Sequence, residues 1–210
     1  MEWYRKSIRI RVAWVALAFA AIVAVMASCG STGKPAVKPS TSESSPRWQV
    51  YFSPNGGATD AIVRTIGGAK KGILVQAYSF TSQPIARALL NATKRGVGVK
   101  IILDKSQVTQ KYSSADFFKN VGMVPLIDHK HTIAHNKVMI IDGTTVITGS
   151  FNFTKAAEQR NAENLLIIRD AKLAAVYAKN WELHRKHSKS YTGKAPVRRG
   201  NRVHAGAGEM

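Results

Sequence analysis

The sequence predicts an α/β fold, a mixed central β-sheet sandwiched by helices. Three observations predict it. Residues 72–78 and 99–104 are near-continuous apolar runs of strand length, the pattern of strands covered on both faces. Segments with helical periodicity, such as 83–94 and 172–185, alternate with them, as layered α/β folds require. Asp142-Gly143 joins two short apolar strands, a hairpin signal that adds antiparallel pairing.

Taken in order, residues 48–52 read as a strand and Ser53-Pro54-Asn55-Gly56-Gly57 as a turn leading into a helix. Ala61, Ile62 and Ile66 suit a short helix that ends at Gly67-Gly68. The strand at 72–78 follows, then the helix at 83–94, with Ile85, Ala86, Leu89 and Leu90 on one stripe and Gly96 after its end. Residues 99–104 form the next strand, 115–121 a helix and 124–127 a short strand. The hairpin pairs 138–141 with 145–148, and 165–169 is a last strand. The helix at 172–185 carries Leu173, Val176, Tyr177, Asn180 and Trp181 at core-facing spacing, so Tyr177 and Trp181 read as core. Gln76 and Tyr78 share one face of a central strand and read by default as core, with a strand end facing a functional site as the alternative. Residues 47–187, about 140 positions, suffice for one real core. No internal repeat is visible.

The first 46 residues read as an address rather than a fold. Arg5, Lys6, Arg9 and Arg11 precede a 16-residue apolar run at 12–27. A basic stretch, a short apolar region and small residues at its end describe an export signal. The run is shorter than the roughly 20 residues that span a bilayer as a helix. Met26-Ala27-Ser28-Cys29 resembles a bacterial lipoprotein cleavage box, with Met26 where Leu is usual. Residues 1–29 are therefore expected to direct export to the periplasm or cell envelope, with lipid attached at Cys29 and membrane association through this segment. Residues 30–46, rich in Ser, Thr, Pro and Gly, are expected to be a flexible linker. Residues 188–210 are expected to be a basic, disordered tail.

Charge narrows the partners. The 210 residues hold 31 Lys and Arg against 12 Asp and Glu, a net charge of +19. Such an excess suits a polyanion, either nucleic acid or an anionic membrane surface. The tail does not account for it: seven basic residues against Glu209 lie between Arg185 and Met210. Cys29 is the one cysteine, which excludes an intrachain disulfide and a multi-thiolate zinc site.

The chemistry gathers around the hairpin. His135 and Lys137 are two apart at the start of a strand and share a face. Gly149, Ser150 and Asn152 follow the returning strand, where Ser150 and Asn152 again share a face. One imidazole, one ammonium, one hydroxyl and one amide thus converge at the same end of two paired strands. The set suits phosphoryl transfer. Lys and Asn clamp nonbridging oxygens as charge grows, and a neutral imidazole attacks phosphorus to form phosphohistidine. A second histidine, titrating near neutral pH, protonates the leaving oxygen. Positive charge comes from lysine, so no cofactor or metal is expected.

His135-x-Lys137-x4-Asp142-x6-Gly149-Ser150-x-Asn152 resembles the HKD motif of the phospholipase D superfamily. Tyr78-Ser79-Phe80-Thr81-Ser82, the run from Gly149 to Thr154 and Asn161-Ala162-Glu163-Asn164 are similar to its small bacterial endonucleases of the Nuc type. The resemblance implies a phospholipase D-like half-domain with one HKD motif. It implies His135 as nucleophile, Lys137, Ser150 and Asn152 as phosphate ligands, and Glu163 as the carboxylate that orients the histidine. Asp142, the motif's acid, is expected to be a structural or orienting carboxylate in the catalytic set. Larger members carry two such motifs. This chain has one, so a homodimer is expected to supply the second histidine across a two-fold axis.

His129 and His131, with Asp128 and His135, are metal-ligand types, but Lys130 between them would repel a cation. Solvated or structural histidines are the expectation, with His131 lining the phosphate groove. No P-loop is present. The expected substrate is nucleic acid, cut without sequence preference. The alternative is a phospholipid of the phosphatidylcholine type. A binding protein that has lost catalysis fits poorly, because every motif residue is intact.

Overall fold

The computed structural model describes residues 47–193. The export segment, Cys29, the linker and the end of the tail lie outside the described residues. One eight-stranded mixed sheet organises the rest, in the order β1-β7-β6-β5-β2-β3-β4-β8.

Strand β1 (Trp48–Ser53) leads to α1 (Ala58–Gly67), whose Ala58, Ala61, Ile62 and Ile66 are buried. Strand β2 (Gly72–Ala77) and α2 (Gln83–Lys94) form a crossover to β3 (Gly98–Asp104), which lies parallel to β2. A single 3-10 turn (Lys105–Val108) and the short α3 (Ala115–Asn120) lead to β4 (Leu126–Asp128), again parallel to its neighbour. The hairpin β5 (Lys137–Ile141) and β6 (Thr145–Gly149) follows as expected, with Asp142 at φ 55° and Gly143 at φ 67° in its turn. A short α4 (Lys155–Gln159), β7 (Glu163–Arg169), α5 (Ala171–His187) and β8 (Lys189–Ser190) complete the chain.

The two faces of the sheet bury different sets. The larger core packs α1 and α2 over Ile73, Val75, Met139, Ile141 and Ile167, with Phe80, Phe118, Phe151 and Phe153 at one end. The smaller core packs α5 over Ile102, Val138, Ile140 and Val146 through Ala174 and Trp181. Trp181 is fully buried and donates its indole N–H to the Val75 carbonyl at 2.9 Å, which pins α5 across the central strand. The Asp170 carboxylate caps the start of α5 by accepting from the amides of Lys172 and Leu173 at 2.8 and 3.0 Å. His184, Arg185, Lys186 and His187 occupy its last turn, where the helix dipole favours positive charge.

Two expectations shift. Helix α4 escapes periodicity because five residues are too few to show a stripe; its Thr154 hydroxyl accepts from the Ala157 amide at 3.1 Å. The fold also continues past His187, where the tail was expected to begin. Strand β8 pairs with β4, and Tyr191 is buried, with its amide on the Pro125 carbonyl at 2.8 Å. Burial, and then the Asp116 carboxylate its hydroxyl donates to at 2.7 Å, push the Tyr191 phenol up to about 12. One aromatic ring holds down a segment whose composition otherwise reads as tail.

Candidate active site

The loop between β4 and β5 delivers His135, and two buried carboxylates hold it. Asp104 ends β3 and accepts from the Ala134 amide at 2.7 Å and the Ser106 amide at 2.9 Å. Asp128 ends β4 and accepts from the Lys130 amide at 3.0 Å. Beyond them, the Tyr78 amide donates to the Asn136 carbonyl at 2.7 Å, which carries the β2–β5 pairing up to the loop. His135 therefore sits on backbone tied down at both ends, although its own side chain is exposed.

Lys137 is the first residue of β5 and is buried. Its Nζ lies 3.1 Å from His135 Nδ1 and donates to the His135 carbonyl at 2.9 Å. The Tyr78 ring packs against both, 4.4 Å from the imidazole centroid and 5.1 Å from Nζ. Tyr78 is thus part of the site rather than of the core. With Nδ1 turned to Lys137, Nε2 is the ring nitrogen left to face a substrate. Desolvation holds the Lys137 ammonium below its ordinary pKa, and the nearby Glu163 charge offsets part of that.

The second half of the site follows from strand register. Met139 pairs with Ile147, so two residues further along Gly149 falls opposite Lys137. Gly149 adopts φ 145°, and a Cβ there would stand 2.3 Å from the Asn164 carbonyl oxygen. Only glycine lets the chain turn off β6 against β7 at this point. Ser150 then accepts from the Asn164 amide at 3.0 Å, which leaves its O–H proton available to donate. Asn152 buries its Oδ1 with no protein partner among the described residues; that oxygen only accepts, so a phosphate oxygen would be met by the amide's Nδ2.

Glu163 opens β7. Its carboxylate accepts from Asn161 Nδ2 at 3.1 Å, and its amide donates to Ser53 Oγ at 3.2 Å. Its charge bears on Lys137, while the nitrogen of His135 that it was expected to hold is turned to Lys137.

Asp142 lies elsewhere, and its place in a catalytic set is corrected. It stands at the far end of β5, about 16 Å of strand rise from Lys137. Its carboxylate accepts from the amides of Lys70, Lys71 and Gly72 at 2.9, 2.7 and 3.0 Å. Burial would raise its pKa, but these three bonds win and hold it below the ordinary carboxylate value. The motif's acid locks the hairpin turn to the start of β2.

His131 is also relocated. Its Nδ1 is 2.9 Å from Asp128 Oδ2, and it shares that carboxylate with His184 and His187 of α5. The carboxylate commits this ring nitrogen within the protein rather than to a phosphate groove.

Two residues escaped sequence reading. Tyr177 and Asn180, one turn apart on α5, line an open groove of about 270 Å³ with His135, Lys137 and Gly149. Tyr177 is half-buried and packs against the smaller core while facing this groove. Their i, i+3 spacing was visible; that the helix crosses the hairpin at the site was not.

Comparison with known proteins settles the lineage. The description "Cardiolipin synthase, PLD-like domain" matches residues 62–184, more than half of the chain. This chain belongs to the phospholipase D-like family. The phospholipase D of Rickettsia felis is 48% identical over 137 residues, covering 65% of this chain and 68% of that protein. Nuc, a phospholipase D family member from Salmonella typhimurium, superposes with a TM-score of 0.66 at 40% identity, covering 70% of this chain and 98% of that structure. The mitochondrial cardiolipin hydrolase of Xenopus laevis is 34% identical over 115 residues, covering 55% of each chain. The phospholipase D-like domain here is a phosphodiester hydrolase, and its α/β sheet is the Nuc fold.

Proposed function

We propose that the protein is a phosphodiesterase that works through a phosphohistidine on His135, with nucleic acid as substrate. The observation that carries the chemistry is the Lys137 ammonium 3.1 Å from the His135 ring on glycine-turned paired strands. His135 Nε2 attacks phosphorus, and the bond from phosphorus to the leaving oxygen breaks. The same imidazole of a second copy hands its proton to that oxygen. Water then attacks the phosphoryl group, the second imidazole takes a proton back, and the P–N bond breaks to restore His135. Lys137, Ser150 and Asn152 hold the nonbridging oxygens through both steps. No step draws on a metal.

Charge supports nucleic acid as the substrate. Between residues 47 and 193, 21 Lys and Arg face nine Asp and Glu, so the catalytic body is basic without its termini. The 40% identity to Nuc over almost all of that structure points the same way, given the likeness to the Nuc-type endonucleases. A second reading, hydrolysis of a phospholipid, is favoured by the 48% identity to a protein named phospholipase D. An export segment with lipid at Cys29 would set either activity at the cell envelope.

The test is direct. The full chain is incubated with plasmid DNA and, separately, with phosphatidylcholine vesicles, without added divalent cation. DNA scission that His135→Asn abolishes supports the proposal. Choline release with intact plasmid replaces nucleic acid by lipid. Absence of acid-labile phosphate on the enzyme during turnover removes the phosphohistidine.

A further inference from the structure

Asp128 lies at the end of β4 with no exposed surface, and three imidazoles converge on one of its two oxygens. His184 Nδ1 stands 2.8 Å from Oδ2, His131 Nδ1 2.9 Å and His187 Nε2 3.2 Å. The other oxygen, Oδ1, accepts from the Lys130 and His131 amides at 3.0 and 3.4 Å. The rings crowd one another, with centroids 4.8, 5.1 and 5.5 Å apart. A carboxylate oxygen offers about two lone pairs in the carboxylate plane. Three ring nitrogens on that one atom exceed what a hydrogen-bond cluster needs, and any two protonated rings would set like charges side by side.

A cation resolves this arrangement. One ligand atom from each of the four residues lies within 4.8 Å of every other. Zinc bonds to imidazole nitrogen and carboxylate oxygen are about 2.0–2.2 Å, so the edges of such a tetrahedron are about 3.3–3.5 Å. The oxygen-to-nitrogen separations are already close to that, and the nitrogens have only to draw together. The spacing suits chelation as well. Asp128-x-x-His131 supplies two ligands from the strand end and its turn, and His184-x-x-His187 supplies two from one face of the last turn of α5. The backbone amides on Oδ1 fix the carboxylate's direction, as outer-sphere groups do around metal ligands. The histidine side chains are 42%, 15% and 23% exposed, which leaves a way in for the ion.

We propose that Asp128, His131, His184 and His187 form a structural zinc site, separate from the catalytic centre, that clamps the end of α5 to the loop carrying His135. Three neutral imidazoles and one carboxylate form a closed four-ligand set of the structural kind. The set lacks thiolate, so its affinity rests on imidazole. The ion does no chemistry on the substrate. It holds the loop from His129 to Asn136 together with the Asp104 bond to Ala134 and the Tyr78 bond to Asn136. The clamp does not depend on which phosphodiester the enzyme cuts.

The full chain is stripped with chelator, reloaded with zinc, passed through gel filtration and assayed for bound metal and thermal unfolding. About one zinc per chain is expected, with a rise in melting temperature on loading. His184→Gln with His187→Gln should weaken zinc affinity by tenfold or more and remove the thermal shift. His135→Asn should leave both unchanged. Cobalt in place of zinc should give the strong visible absorption of a tetrahedral site, a readout on the unaltered chain that does not require the double variant to fold. Wild-type protein that retains no zinc and shows no cobalt spectrum overturns the site. So does zinc binding that survives the double substitution.

Discussion

Lys137 Nζ lies 3.1 Å from His135 Nδ1 and donates to the same residue's carbonyl oxygen at 2.9 Å, so one ammonium both holds the His135 backbone in place and stands beside the ring where phosphate charge would be met. A single side chain couples orientation to electrostatic stabilisation.

Lys137→Met should therefore cost more than a lost phosphate contact. We expect kcat to fall by about 10²–10³-fold, the scale for removing one transition-state donor, with the fold intact by circular dichroism. Desolvation lowers the Lys137 pKa from 10.5. Below that lowered value the ammonium is charged and activity holds; above it activity is lost. The alkaline limb of kcat/KM should thus fall at a lower pH than an ordinary lysine gives. A limb at or above 10.5 would place another group in this role.

Asp142→Asn separates motif from mechanism. Its carboxylate serves three backbone amides at the base of β2, so its loss should cost about 1–3 kcal/mol in urea unfolding and leave kcat of the folded enzyme near the wild-type value. The sign with pH follows from its depressed folded-state pKa. Its contribution is complete above the unfolded value of about 3.9 and fades as pH falls through the lower folded value. Wild type and variant should converge in stability as the solution is acidified. A large loss of kcat would return Asp142 to the active site.

Gly149→Ala tests the turn that aims Ser150 and Asn152. The added Cβ meets the Asn164 carbonyl oxygen at 2.3 Å in a φ of 145°, so backbone must move. We expect destabilisation of about 1–3 kcal/mol and a fall in activity beyond the loss of folded protein. Unchanged kcat with lowered stability would show that the two phosphate ligands tolerate the shift.

The shared-site proposal gives a mixing result. If each active site needs two histidines from two chains, unfolding and refolding equal amounts of wild type and His135→Asn should leave about a quarter of the dimers active, from random pairing. That is about half of the wild-type activity put in; wild-type activity retained in full would mean that each chain works alone.

The sequence carried much of the site because its residues lie close along the chain. His135 with Lys137, and Ser150 with Asn152, follow the two-residue period of a strand, and the Asp142-Gly143 turn folds one pair back beside the other. Most of the strands and longer helices were legible from periodicity for the same reason. Tyr177 and Asn180 were not, because both reach the groove from α5, far along the chain from the hairpin. Strand β8 is two residues long, too short for any pattern to register.

His131 and His135 mark the limit most clearly. They stand four apart in similar local surroundings, yet one faces Lys137 and the other faces Asp128 beside two histidines more than 50 positions away. By itself the sequence determined the alternation of strand and helix, the spacing that forms the phosphoryl site and the basic charge around it. These are short-range properties of side-chain period and composition. Which carboxylate serves which ring, where Asp142 lies and what α5 covers were decided only by tertiary packing. Those contacts join segments whose separation along the chain leaves no period to read.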